Sequence, residues 1–186
     1  MRRIVALLVV IGLLTATAAV VYAETATVTV TAGTLTVTPA NVTLSAVTLD
    51  GTDKTSTSPY TSNAWRAEDA SGTGAGWNVT IVATDFTDGG TPLRTIDISS
   101  ADQKFKIQEA NITVIAGNTA PTSSVASLTD IPEAPAAALK IVSAAVGAGM
   151  GEYNIPPNFS LMVPAGTYVG TGTYTSTITV TAVSGP

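Results

Sequence analysis

Two-residue alternation of threonine with valine, leucine or alanine constrains the fold of this chain more than any other feature. Ala26, Val28 and Val30 alternate with threonines, Leu35 and Val37 do so after Gly33, and Val42, Leu44 and Ala46 follow. The clearest later runs are Trp77–Ala83, Asn111–Ile115, Leu139–Val146 and Tyr174–Val183. Side chains two apart share one face of a strand, so each run offers one apolar and one polar face. β-Branched threonine and valine suit that pleated, half-buried surface. One buried face per strand, with turn signals between strands, predicts an all-β fold. The expected architecture is an antiparallel β-sandwich of Greek-key or immunoglobulin-like type, with little or no helix beyond an N-terminal leader. Asp130–Lys140, interrupted by Pro132 and Pro135, has room for one turn capped by Asp130 and otherwise reads as a surface crossover. Leu49–Ser62 and Ala116–Ser124 read as polar loops.

The opening MRRIVALLVVIGLLTATAAVVYA reads as a secretory signal peptide, residues 1–23, cleaved before Glu24. Retained, the same apolar run would be long enough for a membrane anchor. The small residues in its second half and the pair Val21 and Ala23 favour cleavage, so no stable membrane span is expected afterwards. Residues 24–186 are then a single domain, large enough for a real core. Losing Arg2 and Arg3 leaves six basic residues against thirteen acidic ones. No basic stripe remains, which excludes nucleic acid and anionic lipid as expected partners.

The chain has no cysteine and no histidine. Disulfides and a lipid-modified N-terminal cysteine are excluded, so burial and strand pairing must hold an exported fold together. Ser-His and Cys-His nucleophiles are excluded too, as are zinc and most transition-metal sites. Carboxylate chemistry and calcium remain. Asp85 and Asp88, flanking Phe86, read either as a glycosidase pair or as a polar turn Asp-Phe-Thr-Asp-Gly-Gly. Asp50-Gly-Thr-Asp-Lys reads either as part of a calcium loop, without the third acidic ligand, or as a solvated turn. No enzyme activity, cofactor or metal is expected.

Trp65 and Trp77 bracket WRAEDASGTGAGW, with Gly72, Gly74 and Gly76 leading into Trp77. Two rings beside a glycine-rich loop can form a sugar-stacking platform. Alternatively Trp77, in register with Val79 and Ile81, plugs one end of the core, while Trp65 is open to either reading.

TAGTLTVTP (31–39), VTLDGTDKT (47–55), WRAEDASGTGAGWNVTIVATDFT (65–87) and YVGTGTYTSTITVTAVSGP (168–186) together resemble the WxL domain of bacterial surface proteins. That family shows an Ala-Gly-x-Leu strand, then an Asp before a Gly-rich loop and a Gly-Trp-x-Leu strand. A Gly-x-Tyr-x-x-x-Leu-x-Trp-x-Leu strand closes it. By position, Asp69 matches the acidic residue, Trp77-Asn78-Val79 the first tryptophan motif, and Val180-Thr181-Ala182 the second. Val79 replaces a leucine, and the second motif lacks both tryptophan and leucine. The resemblance implies a secreted, non-catalytic β domain associating non-covalently with the cell envelope, through peptidoglycan or other wall polysaccharide, or through partner surface proteins. It makes Trp65, Trp77 and Asp69 the candidate binding residues.

Two other functions fit the residues. The alternating arm Glu24–Thr38 suits strand addition to a neighbour's edge, making a fibre or coat subunit and a homo-oligomer through its N-terminal strand. The tryptophan pair suits a carbohydrate-binding module.

Overall fold

The computed structural model describes residues 25–186, apart from Asn63 and Ala110. The expected signal peptide and its expected boundary at Glu24 lie outside the described residues. Thr31–Pro186 forms one compact unit; of the other, Met1–Val30, the described part Thr25–Val30 is exposed and carries no secondary structure.

The chain enters the compact unit through β1 (Leu35–Thr38) and β2 (Lys54–Ser58), then makes a single 3-10 turn at Tyr60–Ser62. β3 (Arg66–Asp69), β4 (Trp77–Ala83) and the short β5 (Phe86–Thr87) and β6 (Thr95–Ile96) follow. Next come β7 (Phe105–Gln108), β8 (Thr113–Gly117), β9 (Thr122–Ser123) and β10 (Thr129–Asp130). β11 (Leu139–Ala144), β12 (Gly151–Asn154), β13 (Asn158–Val163) and β14 (Ile178–Ser184) complete the fold. Among the described residues these form three four-stranded sheets, ordered β1-β3-β12-β8, β10-β7-β13-β2 and β14-β4-β11-β9, with β5 and β6 paired separately. Every ladder between these strands is antiparallel, so the all-β, sandwich-like architecture follows the sequence pattern.

β4 shows how alternation becomes core. Trp77, Val79, Ile81 and Ala83 are buried, and Asn78, Thr80 and Val82 between them are half-buried. β14 runs along all of it, from Ile178 opposite Ala83 to Ser184 opposite Trp77. β11 covers the other edge, with a bulge between Lys140 and Val142 that turns Ile141 and Val142 both inward. Aromatic contacts tie the sheets together. Trp77 meets Tyr153 at 6.2 Å and Trp65 meets Phe159 at 5.6 Å. Phe105 stacks on Phe159 at 5.4 Å and takes Phe86 edge-on at 5.0 Å.

Several expected strands differ. Val42–Ala46 is extended, with Val42 and Leu44 half-buried, but joins no ladder. Ala26–Val30 is exposed and forms no strand. Of Asn111–Ile115 only Thr113–Ile115 enters a strand, β8, which is exposed throughout. Leu49–Ser62, read as a loop, contains β2, whose Ser56 and Ser58 are buried; small hydroxyls there give no apolar alternation to read. Asp130–Lys140 is a crossover, pinned where the Ala83 amide donates to Pro132 O at 3.1 Å and the Ala134 amide to Ala83 O at 2.8 Å. Among the described residues no helix is long and apolar enough to cross a membrane.

Candidate functional site

The glycine-rich stretch before Trp77 is a hydrogen-bonded ladder. The Ser71 amide donates to Asp69 Oδ1 at 2.9 Å, the Thr73 amide to Ser71 Oγ at 3.4 Å, and the Ala75 amide to Thr73 Oγ1 at 3.3 Å. Each turn needs a left-handed residue, and Gly72, Gly74 and Gly76 supply it with φ of 71°, 62° and 74°. The ladder delivers Trp77 into the core, where its Nε1 donates to Gly149 O at 2.8 Å. Gly149 must itself be glycine: at φ +74° a Cβ would lie 2.6 Å from Trp77 Nε1. Tyr153, against the same ring, donates to Met150 O at 2.9 Å and Asn118 Oδ1 at 3.2 Å. Burial, then the nearby Asp69 charge, pushes the Tyr153 hydroxyl up from its ordinary pKa.

Asp69 closes the inward face of β3. Trp65, Ala67 and Asp69 point in while Arg66 and Glu68 point out, an alternation hidden in the sequence because its third inward member is an acid. Trp65 sits at the other end of that line, its Nε1 donating to Ala40 O at 3.0 Å. The structure thus brings Asp69 and Trp77 to the Tyr153 corner and leaves Trp65 with Phe159. Trp65 is 1% exposed and Trp77 0%. Neither offers a ring face to a sugar, which corrects the stacking-platform reading: both rings are buried in the core.

The carboxylates serve turns. Asp50 pairs with Lys54 at 2.6 Å, while Asp53 accepts the Ala165 amide at 2.8 Å, so the two acids of the possible calcium loop face different partners. Asp88 is buried and accepts the amides of Gly90 and Arg94, both at 3.0 Å, and the Arg94 guanidinium at 3.4 Å. The Arg94 and Gly90 amides hold its carboxyl below the usual range. Asp85 instead accepts the Ile98 amide at 2.9 Å, so Asp88 starts the turn beyond β5 while Asp85, before it, ties to a distant segment. Asp85, Asp97 and Glu133 bring carboxylate oxygens within 4.8 Å of one another, a spacing a divalent cation can bridge.

Sequence reasoning passed over the loop Tyr168–Tyr174, although its glycine-spaced tyrosines were a signal. The loop lies on the Asp88–Arg94 pair, and Gly170 permits this, since a Cβ there would stand 2.6 Å from Arg94 Nη1. Thr171 Oγ1 donates to Asp88 O at 2.7 Å, and the Tyr174 hydroxyl to Tyr168 O at 2.8 Å. Arg94 stacks on the Tyr168 ring, 5.5 Å from its centroid. Tyr168 nevertheless remains 71% exposed and Leu93 61%. Together with Gln103 and Thr167 they line a recess of about 440 Å³. An anchored guanidinium, an open aromatic ring and amide and hydroxyl groups around a shallow recess can bind a polar, non-planar ligand; they hold no nucleophile–base pair.

The two family motifs lie on paired strands: Trp77-Asn78-Val79 on β4 stands opposite Ser184-Val183-Ala182 on β14, and Val180 faces Ile81. Comparison with curated proteins and with solved structures returns no match. The WxL domain, described as surface cell wall-binding, matches residues 22–186. The chain therefore belongs to the WxL domain family, and its place is the cell surface, in association with the wall.

Proposed function

We propose that the chain from Glu24 onward works as one non-catalytic adhesive domain that holds to wall peptidoglycan or an attached wall polysaccharide without covalent linkage. The family match across residues 22–186 carries this reading. The contact surface is the Tyr168 recess: an exposed aromatic ring stacks on the C–H face of a sugar, while Arg94, Gln103 and Thr167 meet its hydroxyls. In this reading Trp65, Trp77 and Asp69 serve binding indirectly, by fixing the sheets that present the loops.

The test is co-sedimentation of purified protein with isolated cell walls. The protein pellets and is released by chaotropes without proteolysis, and Tyr168→Ala weakens binding about tenfold, the order expected for one lost stacking contact. Recovery in the supernatant defeats the reading, and capture only by walls that retain their surface proteins reassigns the ligand to a protein partner.

A further inference from the structure

The core of the compact unit is open along one side. Pro39–Leu49 runs extended beside Tyr168–Val180, and three cavities of about 240, 330 and 350 Å³ lie between them. They share walls end to end, through Val42 and Ile178, then through Leu44 and Tyr174, so they form one groove. Its floor is core: Trp65 at one end, Phe105 and Phe86 in the middle, Leu161 and Val163 at the other. Among the described residues, no charged one lines it.

The groove wall is a strand without a partner. Pro39–Leu49 alternates in burial as a strand does, apart from one slip at Ser45–Ala46, both exposed. Its backbone is tied down at Ser45, whose amide donates to Thr57 O at 2.9 Å, and at Ala40, whose carbonyl accepts Trp65 Nε1. Its other amides and carbonyls have no backbone partner among the described residues. Unpaired main chain above open, uncharged cavities floored by core residues is the arrangement that an added strand completes, through ladder bonds and alternate side chains.

We infer that the groove receives the N-terminal arm Thr25–Val30 of a second copy of this chain. The arm reads Thr-Ala-Thr-Val-Thr-Val, is uncharged like the groove, and alternates as a donor strand must. Val28 and Val30, at 86% and 85%, are the most exposed large hydrophobic residues among those described. In an extended strand they stand roughly 7 Å apart on one face, the pitch of successive inward positions in the groove wall. The direction of β1 selects a second copy. The chain enters β1 at the end opposite Pro39 and is held extended there by the Gly33 amide on Ala70 O and the Ala70 amide on Thr34 O. Gly33–Thr38, between the arm and Pro39, is thereby held in the compact unit's own sheet. This also narrows the exchangeable arm expected from the sequence, because Leu35–Thr38 is committed to β3 within the chain. Arm and groove are different surfaces, so the contact is heterologous and extends from copy to copy.

The absence of cysteine makes disulfide trapping specific. Protein beginning at Glu24 is prepared as V28C and, separately, as T43C, Thr43 being an exposed position on the groove wall. Mixed under mild oxidation, the two form a covalent heterodimer, whereas V28C mixed with V146C, a control at an exposed position outside the groove, does not. Sedimentation shows concentration-dependent oligomers, and V28D/V30D weakens them at least tenfold. Val28 and Val30 are exposed, so these variants fold. A disulfide formed only within a single V28C/T43C chain assigns the groove to the chain's own arm and overturns the inference. Strict monomers, equal trapping by the V146C control, or oligomers indifferent to V28D/V30D overturn it equally.

Discussion

Glu109 gives the sharpest test of the folding argument. It continues the inward register of β7, after the buried Phe105 and Ile107, and is 0% exposed. Its Oε1 accepts the Asn111 amide at 3.1 Å, while Oε2 has no hydrogen-bond partner among the described residues. A carboxylate there has traded water for an apolar surround, so burial raises its pKa from 4.5 to about 7. The folded protein therefore binds a proton more tightly than the unfolded chain does. The stabilisation is complete below about pH 4.5, declines as pH rises, and is lost through about pH 7. At about 1.36 kcal/mol per pKa unit, the loss is about 3 kcal/mol, a large share of a domain's stability. The absence of histidine leaves this window clear of the other side chain that ordinarily titrates in it. Asp50, Asp88 and Asp97 do not intrude, because hydrogen bonds hold them below 3.8 and their contribution is lost only as pH falls through the acid range. Urea unfolding of the wild type and Glu109→Gln across this window reads the effect. The wild type weakens towards neutrality, the variant stays flat, and near pH 8 the variant is the more stable by up to about 3 kcal/mol. Parallel curves, or a wild type that gains stability from pH 5 to pH 8, would refute the reasoning.

Two further outcomes follow from the packing. Trp77→Ala empties the corner against Tyr153 and costs about 3–5 kcal/mol in urea unfolding, whereas Trp77→Phe, which keeps a ring but strands Gly149 O, costs about 1–3 kcal/mol; an unchanged midpoint for both would show that the ring is not a core anchor. Val180 stands at the family's second tryptophan position and lines the 240 Å³ cavity beside Trp65, so Val180→Trp fills that space and raises stability by about 0.5–2 kcal/mol, and a fall in the unfolding midpoint would show that the cavity cannot take an indole.

The sequence by itself determined the class of fold and the kind of chemistry. Alternation along Trp77–Ala83 carries both the strand and its buried face, because a period of two has one structural meaning and burial needs only to know which face is apolar. The lack of cysteine and histidine excluded whole families of sites without reference to coordinates. Alternation could not say which strands find partners. Val42–Ala46 has the pattern of a strand and none of its ladder, whereas Lys54–Ser58 has the ladder with serines inward, because pairing is set by what lies alongside in space. Nor could it say that Trp65 is enclosed or Tyr168 open, since one aromatic ring resembles another until neighbouring strands cover it or leave it bare. Glu109 shows the same division: its inward position is local, but its cost comes from residues distant in sequence that exclude water and, among those described, offer Oε2 no donor. Spacing along a chain fixes the direction in which a side chain points, and only the assembled sheets fix what it meets there.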